Sequence, residues 1–310
     1  MKNFSTTLIL LGGLFLLGCE PSGSSLRIGT NVWPGYEPLY VAQHEKRWDT
    51  EKIRLVEYPS ASEVLRAFRN KALEGASLTA DEVLLLREDR IPVKIVLIHD
   101  ISDGGDVIIA RNHIKSVKDL KGKKVGVESN ALGAYVLSRA LEIHGMKASD
   151  IQIIKIDINE QEKDFLNQKV DAVVTFEPVK TKLINQGGQI IFSSKEIKNE
   201  IVDVLVFHED AIKNQKSLIQ NVVNEWFWAV RLLNEKPNHA SKIIARRLKI
   251  TPEEVIQSFE GLHIPDRKEN LQLFSEIEKS LQKINQVMFD NQLIKKKVEI
   301  YNLVTDEFIK

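Results

Sequence analysis

Several short segments of this 310-residue chain carry side chains able to do chemistry, and most of them follow a run that reads as a β-strand. In Gly29-Thr30-Asn31-Val32-Trp33-Pro34-Gly35-Tyr36 two aromatics sit among turn formers, where they cannot all be strand core. Their faces suit stacking on a ligand or contact with its cationic group; alternatively, Trp33 plugs a gap between two packed units. Leu78-Thr79-Ala80-Asp81 opens a helix with a hydroxyl and free amides, which fits either a ligand hydrogen bond or an ordinary cap. Ser102-Asp103-Gly104-Gly105-Asp106 places two carboxylates in a flexible loop, fit for an ammonium group or a metal, or simply for solvent.

Ser129-Asn130-Ala131-Leu132-Gly133-Ala134 starts a helix, and its N–H groups offer a place for a carboxylate, sulfonate or phosphate oxygen, as every helix start does. In Thr175-Phe176-Glu177-Pro178 the proline forces a turn after a strand. Glu177 there either accepts from a ligand nitrogen or is an N-terminal acid stabilised by the helix dipole. Asp203 lies inside the apolar run 200–206, where a lone carboxylate is costly, so it calls for a Lys or Arg partner or a ligand cation.

Positioning these loops requires strands and helices in alternation. Strands are expected at 26–29, 54–58, 76–79, 93–99, 107–110, 125–128, 151–156 and 172–175. Helical spacing appears at 38–48, at 62–73 through Val64, Leu65, Phe68 and Ala72, from 81, from 129 to His144 with Gly145 as stop, and at 160–168. From Ser217 onward the pattern is almost wholly helical, with apolar faces such as Val222, Trp226, Val230 and later Phe274, Ile277, Leu281. The expectation is an α/β protein of two doubly wound, mostly parallel lobes with a cleft between them. Lobe 1 is 26–104 with 204–310, lobe 2 is 105–203, and the helical tail packs on lobe 1.

At the N-terminus, Lys2 precedes an apolar run that ends at Gly18-Cys19, a signal-peptide pattern too short for a comfortable membrane span. Leu16-Leu17-Gly18-Cys19 resembles a bacterial lipobox, which implies removal of 1–18 and a lipid on the Cys19 thiol; otherwise Cys19 is an incidental residue of an ordinary signal or anchor. It is the sole cysteine, so no disulfide framework or cysteine metal site is expected. Residues 19–25 read as a tether.

Lys plus Arg and Asp plus Glu each total 43, so no net field favours nucleic acid or an anionic bilayer. Walker A, G-x-G-x-x-G, H-E-x-x-H and G-x-S-x-G patterns are missing. The histidines are scattered and read as surface or locally bonded residues. Neither catalysis nor a cofactor is expected.

Gly29-x-x-x-Trp33-x-Gly35-Tyr36-x-Pro38-Leu39-x-x-Ala42, Asp119-Leu120-Lys121-Gly122-Lys123-x-Val125, and Val170-Asp171-Ala172 leading to Phe176-Glu177-Pro178 stand in an ordered series. Together they resemble the nitrate/sulfonate/taurine and thiamine-pyrimidine-precursor group of ABC transporter solute-binding proteins. The resemblance implies a type II periplasmic-binding-protein fold that closes on a small-molecule ligand, with ABC permease and ATPase subunits as partners. A membrane sensor protein is the alternative partner. It further implies export, a monomer, and an anchor at the periplasmic face of the envelope through Cys19. By position, the implied ligand contacts are Asn31, Trp33, Tyr36, Thr79, Asp103, Asp106, Ser129, Asn130, Gly133 and Glu177, with Asp203 added from its own strand. Phe176 stands where the group often has Trp, and so many acids near the cleft favour a nitrogenous or zwitterionic ligand over a bare divalent oxyanion.

Overall fold

The β-branched runs and amphipathic segments assemble into two sheets in the computed structural model, which describes residues 25–128 and 131–310. The chain begins with β1 (Leu26–Thr30), α1 (Glu37–His44), β2 (Ile53–Glu57), α2 (Ala61–Arg69), β3 (Gly75–Thr79), α3 (Ala80–Glu88) and β4 (Val93–Ser102). It crosses to the second sheet through β5 (Val107–Ala110), β6 (Lys124–Val127), α4 (Ala131–Ile143), β7 (Gln152–Lys155), α5 (Ile158–Leu166), β8 (Ala172–Thr175), α6 (Val179–Asn185) and β9 (Gln189–Ser193). The return strand β10 (Val202–His208) leads into α7 (Glu209–Asn214), α8 (Lys216–Glu235), α9 (Pro237–Leu248), α10 (Pro252–Phe259), β11 (Leu262–His263) and α11 (Arg267–Asp290). The lipobox, Cys19 and the tether through Ser24 lie outside the described residues, as do Ser129 and Asn130.

The first sheet has the order β11-β4-β10-β3-β1-β2 and the second β7-β6-β8-β5-β9. Both are mixed rather than mostly parallel. β1 runs parallel to β2 and β3, while β10 is antiparallel to β3 and β4. β6 runs parallel to β7 and β8, while β5 is antiparallel to β8 and β9. Besides β11, which is antiparallel to β4, the antiparallel strands are β5 and β10, the first after each crossing between the sheets. They are joined by short connectors instead of helical crossovers, and so reverse direction. The expected boundary at 203/204 falls inside β10, which places Asp203 in the first sheet.

Amphipathic helices cover the sheets because each has one apolar face. In α2, Val64, Leu65 and Phe68 are buried at helical spacing, and the Ser60 hydroxyl accepts from the Glu63 N–H at 3.3 Å to close the first turn. In α11, Phe274, Ile277, Leu281, Ile284 and Met288 form one buried stripe, and Asp266 caps the start by accepting from the Glu269 N–H at 2.8 Å. That stripe lies against α3 and β4. The core runs from the first sheet through α3 and α4 to one face of the second, and a smaller cluster around Phe165, Val173 and Leu183 covers the other face.

One ionic knot ties the units together. Glu200, in the segment that returns to β10, is 3% exposed. It accepts from Tyr135 Oη at 2.8 Å and from Arg139 Nε at 2.7 Å, both on α4, and pairs with Lys283 Nζ of α11 at 2.8 Å. Burial alone would raise its pKa, but the hydrogen bonds from Arg139, Lys283 and Tyr135 outweigh it and hold the carboxyl below its usual range. Glu200→Ala would remove the shared partner of Tyr135, Arg139 and Lys283, leaving Arg139 only Glu142, at 2.6 Å. A loss of about 3 kcal/mol is expected by urea denaturation, and a loss under ~0.5 kcal/mol would show the knot to be passive.

Candidate ligand-binding site

The register of the first sheet brings acidic side chains to one end. Asp203 of β10 stands opposite Thr79 of β3 on one side and Asp100 of β4 on the other. The turn after β1 then folds over this end. Its Tyr36 hydroxyl donates to Asp203 Oδ1, and its Trp33 Nε1 donates to Asp100 Oδ2 at 3.1 Å. Gly35 makes that approach possible: a Cβ there would lie 1.8 Å from Asp100 Oδ2 and 2.6 Å from Trp33 Nε1. Behind this layer, His99 is fully buried, bonded to Ser77 Oγ at 3.0 Å and enclosed by Tyr36 and Trp226. It is neither a surface nor a locally bonded histidine. Burial depresses its pKa to about 3, so it is a neutral core imidazole.

Asp81, Glu82, Asp100, Asp106 and Asp203 are each at most 3% exposed. Burial pushes Asp100 up to about 8, only partly offset by the Trp33 hydrogen bond, and the charge of Asp106 adds to the rise. Burial and the neighbouring Asp81 carry Glu82 to about 8. Asp81 and Asp106 rise to about 6, again chiefly through burial, with Thr79 and Ser102 respectively supplying a partial offset. Asp203 is raised strongly by burial and then by Asp100, against the hydrogen bond from Tyr36. Burial and Asp157 bring Glu128, at the end of β6, to about 7.

The second sheet closes the site from its own strand ends. Asp106 precedes β5, and Thr175 ends β8 beside it through the Val107–Thr175 pair. Phe176 meets Trp33 edge to face, ring centroids 5.5 Å apart. Lys180 Nζ reaches Gly104 O at 3.2 Å and Glu177 Oε1 at 3.4 Å, so the first turn of α6 touches the connector between the sheets. Where Val32 and Pro34 face Glu177, Pro178 and Thr181, a cavity of ≈ 60 Å³ remains, room for about two waters.

Residues 20–248 match the NMT1-like family. The chain belongs to that family. A protein of Escherichia coli (strain K12) named for binding aliphatic sulfonates is 24% identical over 292 residues, covering 92% of this chain and 90% of its own. One of the same name from Bacillus subtilis (strain 168) is 25% identical, covering 98% and 95%. Among solved structures, the alkanesulfonate-binding protein SsuA from Xanthomonas axonopodis pv. citri, bound to MOPS, superposes with a TM-score of 0.78 at 17% identity over 91% of this chain and 98% of its own. The expected resemblance to the nitrate/sulfonate/taurine group and the expected two-lobed periplasmic-binding-protein fold both hold.

Within this NMT1-like chain, the expected ligand contacts do not form one uniform set. Trp33, Tyr36, Thr79, Asp106 and Asp203 converge on the strand ends described above. Asn31 is 7% exposed and bonds the neighbouring Val32 O at 3.3 Å. Asp103 is exposed, its N–H spent on Gly261 O at 2.8 Å, so the expected carboxylate pair is split because Gly104 (φ +110°) turns the chain between them. Glu177 bends back onto α6, accepting from Thr181 Oγ1 at 3.0 Å and Thr181 N at 3.2 Å, as an acid at a helix start does. Asp203 has neither Lys nor Arg but a tyrosine hydroxyl. Gly133 is buried in the first turn of α4. Glu82, Asp100 and Lys180 join the site without having been singled out, and Asp81 and Thr175 join it from the segments 78–81 and 175–178. Asp100 carries the same signal as Asp203, a carboxylate inside the apolar run 93–101. No group of three or more His, Cys, Asp or Glu among the described residues is arranged to hold a metal.

The raised carboxyls make stability depend on pH with a definite sign. The folded state binds these protons more tightly than the unfolded chain. Stability is therefore full below the ordinary carboxyl pKa near ~4 and is lost as pH rises through about 6 to 8. The melting temperature of the ligand-free protein is expected to fall by several degrees between pH 5 and pH 8.5, and Asp100→Asn to flatten that slope. Scanning calorimetry across the range tests this, and a melting temperature that rises with pH would contradict it.

Proposed function

We propose that the chain is the solute-binding lipoprotein of an ABC importer, capturing a small organic ligand between its lobes by hinge closure. The single observation that carries this reading is the meeting of both sheets' strand ends across Trp33 and Phe176, with buried polar groups contributed from each side. In open α/β sheets such a crevice is where ligands bind. Membership of the NMT1-like family and the sulfonate-binding names of its relatives support the same reading. Candidate ligands are amine-bearing, heterocyclic or sulfonate-like molecules.

Capture requires the lobes to part, and the short connectors at 103–106 and 194–201 are the hinge in this reading. Permease and ATPase subunits then recognise the closed shape. Residues 1–18 direct export, Cys19 carries the lipid, residues 20–25 form the tether, and the protein works as a monomer on the periplasmic side. Lobe 1 comprises 26–104 with the C-terminal helices and lobe 2 the second sheet. Among the described residues no helix is long and apolar enough to cross a membrane. Ser77 and His99 form a hydrogen-bonded pair in the core, behind the acidic layer at the strand ends.

Two measurements test the proposal. A saturating ligand is expected to raise the melting temperature by several degrees, since about 2.7 kcal/mol accrues at one hundred times Kd, and to shrink the radius of gyration in small-angle scattering. Phe176→Ala is expected to weaken binding about tenfold while leaving the melt of the free protein nearly unchanged. A screen of sulfonates, amines and heterocycles that leaves both readouts unmoved would overturn capture. Separately, Cys19→Ser is expected to move the protein from the membrane fraction to the soluble periplasm; an unchanged distribution would remove the lipid anchor.

A further inference from the structure

We propose that the group held at the strand ends is an organic cation with N–H donors, an ammonium or amidinium seated among Asp100, Asp106 and Asp203, and that its entry expels to solvent a proton held by one of those carboxyls. The inference rests on the capture reading and narrows it to a ligand charge that differs from the sulfonates for which the relatives are named.

Among the described residues, few donors are engaged by these carboxylates. Trp33 and Tyr36 serve one oxygen each of Asp100 and Asp203. Asp100 Oδ1 and Asp106 Oδ2 are buried without a hydrogen-bond partner, as are Asp81 Oδ2 and Glu82 Oε1. A buried acceptor left in that state is costly. An independent sign comes from the other lobe: Thr175 Oγ1, next to Asp106 at the end of β8 and 1% exposed, also has no partner. A cation with several N–H groups supplies these acceptors, and the Trp33 and Phe176 rings that meet over the crevice offer faces to the same charge.

The groups facing the carboxylates leave little room for an anion. Among the described residues they are Trp33 and Tyr36 from the turn after β1, Asp81 and Glu82 from α3, Ser102 from β4, Thr175 from β8, and Lys180 from α6, with His99 behind them. Lys180 is the cation among them, and it is engaged by Glu177 at 3.4 Å and by Gly104 O. His99 is neutral. Among the described residues a sulfonate would meet carboxylates with no free positive partner, whereas a cation takes the place of the proton that keeps neighbouring carboxylates from repelling.

Isothermal calorimetry on the mature protein tests this with putrescine, agmatine and benzamidine as cation probes and methanesulfonate and ethanesulfonate as sulfonate probes, each in phosphate and in Tris. At least one cation is expected to bind, with a heat that differs between buffers by the release of about one proton and an affinity that rises about tenfold from pH 6 to pH 7. Asp100→Asn and Asp106→Asn are expected to weaken it at least about tenfold, and either variant carries the test if the other fails to fold. Binding without proton release, or silence from all three cations at millimolar concentration, overturns the inference. A sulfonate that binds and compacts the lobes also overturns it but leaves capture standing, whereas silence from every probe together with unchanged scattering removes both.

Discussion

Buried carboxylates without buried counter-cations are the constraint around which this molecule is arranged. A carboxylate moved out of water loses far more than a neutral hydrogen bond returns, and here Asp81, Glu82, Asp100, Asp106 and Asp203 sit together at one end of a sheet. What holds them is a set of neutral donors, Tyr36 and Trp33 above all, brought into reach because residue 35 has no side chain. The turn after β1, the register of β10 and the entry into β5 all serve this one cluster.

Glu200 shows that the chain can solve the same problem in another way. Equally buried, it is met by a guanidinium, an ammonium and a phenol, and its charge is stabilised. It knits α4, α11 and the return segment, and its chemistry is complete within the protein. Around Asp100 and Asp106 the chemistry is incomplete, with acceptor oxygens that no side chain serves. Satisfied and unsatisfied buried acids thus separate structural work from the proposed binding work within one chain.

The alternating elements were legible because each strand and helix has a period of its own: 107–110 and 172–175 are strands with the bounds their apolar runs imply. The mixed direction of the sheets was not, since strand direction depends on how connectors cross between lobes, which periodicity does not encode. Of the site, Asp203 was legible because an acid in an apolar strand is anomalous, and Asp100 carries that same anomaly beside His99. Glu82 was hidden by its position, because Thr79-x-x-Glu82 reads as a capping box, and Glu82 does accept from the Thr79 N–H at 3.1 Å. Asp103 and Asp106 looked equivalent in sequence, and only the turn at Gly104 sends one to solvent and the other inward.

Likeness across the whole chain and difference at the strand ends are compatible because they depend on different residues. Overall shape follows from buried apolar positions, which at 17% identity still yield a TM-score of 0.78 with a sulfonate-binding structure. Ligand charge follows from a handful of side chains at the mouth of the sheets, and a fold tolerates their exchange so long as each buried polar group finds a partner. In a closed site a carboxylate meets either a proton, a protein donor or a ligand donor. The protein donors here are outnumbered by the carboxyl oxygens, and protons become scarcer as pH rises through the range of these groups. In the proposed cation capture the remaining partner comes from the ligand, and on that reading the acids, more than the fold, define what such a cleft would select.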